Sequence, residues 1–220
     1  MKRIAVILSG CGVYDGTEIH EACAALLALR REGALAVACA PSGPQLHVVD
    51  HAFGQPAEGM SRDILAESAR LVRGDIRPLA DVRAADIDGV LLPGGFGAAK
   101  NLCTFATDGA DCHVHPEVEA FLRQAHALGK PIGAMCIAPV ILARVFGQDG
   151  RPRLTIGADA STAALVEAMG ARHAACESAG VIVDEDGKFV TTPAYMGTED
   201  ISVVFDSAAA AVKKLLMLCA

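Results

Sequence analysis

The sequence predicts an α/β domain built on an open, mostly parallel sheet with one antiparallel hairpin. Three observations lead there. Short runs of Val, Ile, Leu and Ala recur without polar alternation, as expected of strands covered on both faces. Amphipathic helical segments alternate with them, as in successive βαβ units. Near the end, Asp186-Gly187 separates two apolar runs, which is a hairpin turn signal.

Ile4–Leu8 is the first continuous apolar run and reads as a buried strand. Ser9–Gly16 is a loop, Thr17 is the expected N-cap, and a helix from about Glu18 to Arg31 ends near Gly33. Leu35–Ala40 is a second strand, stopped by Pro41. Segment 43–60, rich in Gly, Pro and His, reads as an excursion with a small hairpin at Gln45–Val49, and Ser61–Val72 as a polar-faced helix. Asp88–Leu92 is a buried strand closed by Pro93-Gly-Gly-Phe-Gly97. Helices follow near 98–106 and 116–128, with a polar loop at Thr107–His115 between them. A strand at 131–135 leads into the helix after Cys136. Strands near 153–156, 173–176, 181–184 and 188–192, a helix near 160–169 and a closing helix over 201–218 complete the pattern. With no internal repeat and no linker, residues 1–220 read as one domain.

Composition narrows the class of function. The chain of 220 residues is 52 % hydrophobic but only 4 % aromatic, without Trp, so its core is built from aliphatic side chains and Ala. Apolar runs such as Val90–Leu92 and Ala208–Val212 are far too short to cross a bilayer. A net charge of −7 argues against nucleic acid or an anionic membrane as partner. The eight cysteines form no CxxC pair, and strand-like sequence begins at once with no visible leader; reduced thiols and a cytoplasmic protein are expected.

The chemistry-bearing segment is Lys130-Pro-Ile-Gly-Ala-Met-Cys136-Ile-Ala-Pro139. Ala134 and Ala138 flank Cys136 at two residues on either side, the small-x-nucleophile-x-small pattern of a sharp strand-to-helix turn. Such a turn lifts the thiol out of the sheet and sets it at a helix N-terminus, which favours thiolate. Pro139 suits the first helical turn. A buried structural cysteine at a βα junction fits the same pattern equally well. Ser9–Gly16, Pro93–Lys100 and Cys136 all fall at the carboxyl ends of strands, where ligands bind in such sheets. Gly94 and Gly95 could expose backbone donors, and the N–H groups of Gly95 and Ile137 are the candidate oxyanion donors; a tight turn needing positive φ explains the same glycines. Glu18, in the first turn of the first helix, is the candidate acid–base partner of Cys136, with Glu21 one turn on as the rival. Helical geometry turns His20 away, toward solvent or a partner subunit. The pair His113 and His115, near Asp108, Asp111 and Cys112, lacks a matched ligand set, so no metal is expected. Cys11 could approach the site, but a buried spectator role accounts for it as well.

These stretches resemble the DJ-1/PfpI superfamily, and within it the group of bacterial ElbB proteins (isoprenoid biosynthesis proteins with an amidotransferase-like domain) and eukaryotic ES1 proteins. The matching segments are Ile4–Glu21, Leu92–Leu102, Pro131–Pro139, Leu154–Gly157 and Thr191–Met196. The resemblance implies a flavodoxin-like three-layer sandwich of the class I glutamine amidotransferase type, a reactive cysteine at Cys136, a helix-borne glutamate best matched by Glu18, and an oxyanion-side glycine at Gly95. It implies a glyoxalase-like lyase of hydro-lyase type, without cofactor and weakly active, on a small aldehyde, in a protein that is often a homodimer. The alternative is a non-catalytic stress protein that senses oxidation at Cys136. One departure stands out. Many superfamily members carry a histidine after the elbow, where this chain has Ile156-Gly157-Ala158-Asp159.

Overall fold

A computed structural model describes residues 1–219. Strand β1 (Arg3–Ile7) leads to helix α1 (Ile19–Arg31) and then β2 (Leu35–Ala40). The excursion carries β3 (Val49–Asp50) and β4 (Gln55–Pro56), followed by α2 (Ile64–Leu71) and β5 (Arg77–Pro78). Next come β6 (Gly89–Leu92), α3 (Phe96–Lys100), α4 (Phe105–Asp108), α5 (Pro116–Ala127), β7 (Ile132–Met135) and α6 (Pro139–Gly150). The last third holds β8 (Arg153–Leu154), α7 (Ala160–Ala168), β9 (Arg172–His173), β10 (Ile182–Asp184), β11 (Phe189–Thr192) and α8 (Ile201–Leu218).

Seven strands form one sheet in the order β10-β11-β7-β6-β1-β2-β5. All pairings are parallel except β10 with β11, the hairpin turning through Asp186-Gly187. Alternation along β1 sends Ile4, Val6 and Leu8 into one apolar cluster and Ala5 and Ile7 into the other. The first cluster is closed by α1 and α8, the second by α5 and α6. Both sheet faces are therefore dry, which is why the strands read as unbroken apolar runs.

Several expected boundaries move, each for a hydrogen-bonding reason. Glu18, not Thr17, caps α1; the Thr17 hydroxyl instead accepts the Ser9 N–H at 2.7 Å. The hairpin expected at Gln45–Val49 lies at β3–β4, because the N–H groups of Gln45, Leu46 and Val49 go to Arg62 O, Asn101 Oδ1 and Asp15 Oδ2. The helix expected over 98–106 breaks after Lys100. Residues 102–104 pair instead with 113–115 through Thr104 N–H to His113 O and His115 N–H to Leu102 O. Strands β8 and β9 leave the main sheet as a separate two-stranded ribbon; the Thr191 hydroxyl takes the Thr155 N–H and stops the ladder there. The edge strand β5 gave no periodic signal, being two residues long and ending in Pro78, which an edge tolerates.

Candidate active site

Three backbone segments meet at the carboxyl edge of β1, β6 and β7. Strand β7 ends at Met135, and Cys136 adopts φ 58°, a left-handed conformation that costs a non-glycine residue on the order of 1–2 kcal/mol. Helix α6 begins three residues later with Pro139 in its first turn. Ala134 and Ala138 are fully buried beneath the turn. The turn from strand to helix is as sharp as expected, and it is held against its strain by Cys136 N–H to Thr192 O at 3.0 Å and Ala138 N–H to Met135 O at 2.9 Å.

The loop after β6 is glycine-rich because backbone must lie against backbone. A Cβ on Gly95 would stand 2.3 Å from Glu18 N, and one on Gly97 2.5 Å from Gly16 Cα. The contact is hydrogen-bonded. Glu18 N–H donates to Gly94 O at 3.0 Å, Phe96 N–H to Val13 O at 2.7 Å and Gly97 N–H to Gly16 O at 2.8 Å. Asn101 adds a clamp, donating from Nδ2 to both Ser9 O and Asp15 O at 2.8 Å. The start of α1 is thereby fixed relative to the elbow. On Gly94, a Cβ would stand 2.5 Å from Cys136 Cβ and 2.7 Å from Glu21 Oε2, so the absent side chain makes room for the reactive pair itself.

The carboxyl group at Cys136 belongs to Glu21. Glu21 is wholly buried, hydrogen-bonds the Cys136 side chain, and accepts from Gly94 N–H at 2.8 Å and Tyr195 N–H at 3.3 Å. Glu18, the expected partner, is the helix N-cap instead: its Oε2 accepts the Glu21 N–H at 2.7 Å. An N-cap side chain folds back onto its own helix, whereas the third helical residue projects from the first turn over the strand ends. Glu18 therefore acts on the site as a charge and a brace, not as the group that meets sulfur.

Burial, then the neighbouring Glu18 charge, raises the Glu21 carboxyl from its ordinary 4.5 to about 7, against the pull of its two backbone donors and the thiol. Burial, then the Glu21 charge, pushes the Cys136 thiol well above its ordinary 9.0, although the N–H groups of Gly95 and Ile137 both donate to the sulfur and oppose this. The resting pair is thus a thiol donating to a carboxylate that titrates near neutrality. The standing thiolate expected from the helix N-terminus is outweighed by desolvation. The N–H groups of Gly95 and Ile137, expected as oxyanion donors, face the sulfur.

Tyr195 is the site residue that sequence reasoning passed over. It follows Ala194, which has φ 46°, in the turn after β11, and that strained turn brings its N–H to Glu21. Its hydroxyl shares a 2.7 Å hydrogen bond with Nδ1 of His20, which is half exposed and 3.7 Å from Glu18 Oε1. The only sequence signal for it was the Thr191–Met196 stretch. Ile156 and Gly157, where a histidine was sought, pack behind this turn, and Asp159 caps α7. Cys11 faces the charges of Arg70 and Glu67 on α2 and of Asp15 in its own loop. Among the described residues, no group of three or more His, Cys, Asp or Glu side chains is arranged to hold a metal ion, the His113–His115 loop included.

Known proteins are similar to this chain over nearly its full length. The human protein named glutamine amidotransferase-like class 1 domain-containing protein 3, mitochondrial, is 49 % identical over 98 % of this chain and 83 % of its own length. The crystal structure of an isoprenoid biosynthesis protein with amidotransferase-like domain from Ehrlichia chaffeensis superposes with TM-score 0.93 at 31 % identity, covering 99 % of both chains. A glyoxalase III from Candida albicans superposes with TM-score 0.62 over 100 % of this chain and 98 % of its own, at 13 % identity, a likeness of fold. The family model described as DJ-1/PfpI matches residues 11–198, and with the elbow, the glycine loop and the helix-borne glutamate in place, the chain belongs to the DJ-1/PfpI family.

Proposed function

We propose that the chain is a cofactor-independent glyoxalase acting on small 2-oxoaldehydes such as glyoxal and methylglyoxal. One observation carries this reading: a fully buried carboxyl group, titrating near 7, hydrogen-bonded to the elbow thiol. A group poised there both takes and returns protons at neutral pH, which an aldehyde isomerisation requires twice.

The Glu21 carboxylate takes the Cys136 proton as sulfur bonds the aldehyde carbon, and the carbonyl oxygen is protonated to give a hemithioacetal. The Gly95 and Ile137 amides that face sulfur stabilise charge on the adjoining oxygen during the addition. Glu21 then removes the C–H proton of that carbon and returns it to the neighbouring carbonyl carbon. The electron pair passes through an enediol, so one carbon is oxidised to a thioester while its neighbour is reduced to an alcohol. Water cleaves the thioester, releasing the 2-hydroxy acid and restoring the thiol. The sum is addition of one water, with no external oxidant or reductant. Cys136 is only 7 % exposed, which suits a substrate of a few heavy atoms.

The test is turnover of glyoxal to glycolate by purified protein treated with a chelator. Turnover should persist with chelator and vanish in Cys136→Ala; equal turnover in that variant sinks the mechanism. The second reading, an oxidation sensor, draws on the same two amides, which would also bind sulfinate oxygens at Cys136. Selective oxidation of Cys136 by mild peroxide in a protein without aldehyde turnover favours it. The proposal includes a cytoplasmic homodimer that engages neither nucleic acid nor membrane. The net charge of −7 supports excluding polyanions, no described helix is long and apolar enough to span a bilayer, and light scattering checks the dimer.

A further inference from the structure

His20 stands at the lip of the site, half exposed, and the proposed reaction gives it no task. Its surroundings are nevertheless specific. Nδ1 of His20 meets the Tyr195 hydroxyl at 2.7 Å, and the Tyr195 backbone N–H is one of two that hold the Glu21 carboxyl. The turn that carries Tyr195 passes through left-handed Ala194, a conformation that persists only when its surroundings enforce it. At its far end the Ser178 hydroxyl donates to Gly197 O. At its near end two α1 side chains hold Tyr195: Glu21 takes its backbone N–H, and His20 meets its hydroxyl.

We propose that His20 is a positioning residue for the Cys136–Glu21 pair, acting through Tyr195: it pins the strained turn so that the Tyr195 N–H stays on Glu21 Oε1. The inference rests on that pair being the reactive one. It does not depend on which electrophile the thiol meets. Glu18, Glu21 and Asp200 are the acidic groups whose charge bears on Tyr195, and Glu18 also faces His20. Freed from its tether, Tyr195 would withdraw a donor from the Glu21 carboxylate and make that group harder to ionise.

The experiment follows alkylation of Cys136 by iodoacetamide from pH 5 to 9, read at the Cys136 peptide by mass spectrometry, so that the exposed Cys23 and the other thiols do not contribute. In the unaltered protein the rate should rise through an inflection near 7 that belongs to the pair. In His20→Ala and Tyr195→Phe alike, that inflection should move up by about half to one pH unit, lowering the rate at pH 6 roughly three- to tenfold. His20→Asn, which keeps a hydrogen-bonding atom near the position of Nδ1, should restore much of the difference. A uniform fall at every pH would indicate general damage and overturn the proposal. So would an unchanged inflection, or a shift in His20→Ala without one in Tyr195→Phe, which would assign the effect to histidine charge. If the shift is found in a protein that does not turn over glyoxal, the glyoxalase reading falls and the positioning role stands.

Discussion

Replacing Glu21 by Gln removes the proton acceptor while keeping side-chain volume and one oxygen for a backbone donor. Two effects of opposite sign should follow. Loss of a general base that acts at both proton transfers should lower kcat for glyoxal by a factor of about 10² to 10⁴. Stability should move the other way at neutral pH. The folded protein holds the Glu21 carboxyl at about 7 against an ordinary 4.5, so between those values the native state binds more protons than the unfolded chain. Stability contributed by this group is therefore greatest below pH 4.5, falls as pH rises through the interval, and levels off above 7. The full difference corresponds to roughly 3 kcal/mol. Glutamine does not titrate, so the stability of the variant relative to the unaltered protein should rise by up to that amount between pH 4.5 and 7.5. Part of the gain is offset at every pH, because the new amide N–H₂ must face either Gly94 N–H or Tyr195 N–H. Urea unfolding of both proteins at several pH values, with glyoxal turnover in parallel, reads both effects. A stability difference that is flat across this range would refute the buried, neutral-titrating carboxyl. Turnover within threefold of the unaltered protein would refute its role as the base.

Glu18→Gln separates the two glutamates from the other side. The cap oxygen survives, so turnover should stay within about fivefold, and loss of the neighbouring negative charge should move the acid limb of the pH–rate profile to lower pH, opposite to the effect at His20. Cys136→Gly should be more stable to urea unfolding than Cys136→Ala, by roughly 1 kcal/mol, because only glycine relaxes the φ of 58°; equal stabilities would mean the elbow carries no strain. Gly94→Ala would place a methyl group 2.5 Å from Cys136 Cβ, and should abolish turnover and cost on the order of 1–3 kcal/mol in unfolding.

How much of this site the sequence disclosed depended on whether the controlling interaction was local. The elbow was legible because its requirement lies within five residues: small side chains at 134 and 138 and a proline at 139 are consequences of one turn. The glycines at 94, 95 and 97 were legible as a loop. What they accommodate was not: the Cys136–Glu21 pair at Gly94, and at Gly95 and Gly97 the backbone of Gly16–Glu18 arriving from another strand. The β3–β4 hairpin and the break after Lys100 were displaced by side chains of Asp15 and Asn101 that claim backbone partners 34 to 92 residues away.

The choice between Glu18 and Glu21 turned on a single residue of helix register. With Thr17 as N-cap, Glu18 would be the first helical residue and a fair candidate to overhang the strands. Thr17 was unavailable because its hydroxyl is committed to Ser9, at the end of β1, so the cap passes to Glu18 and the overhang to Glu21. The same reasoning reassigns the missing histidine. The place sought for it, after the elbow, is filled by Gly157 behind the Tyr195 turn. The imidazole that does approach the site comes from α1, two residues from the cap and one from the buried carboxyl, and its Nδ1 meets the Tyr195 hydroxyl with Glu18 Oε1 3.7 Å away. Sequence spacing cannot reveal a link that runs from side chain to side chain and then back through the backbone of a strained turn. A carboxyl group buried beside a thiol needs such outside support, since its two backbone donors, Gly94 and Tyr195, are what favour its ionised form against burial.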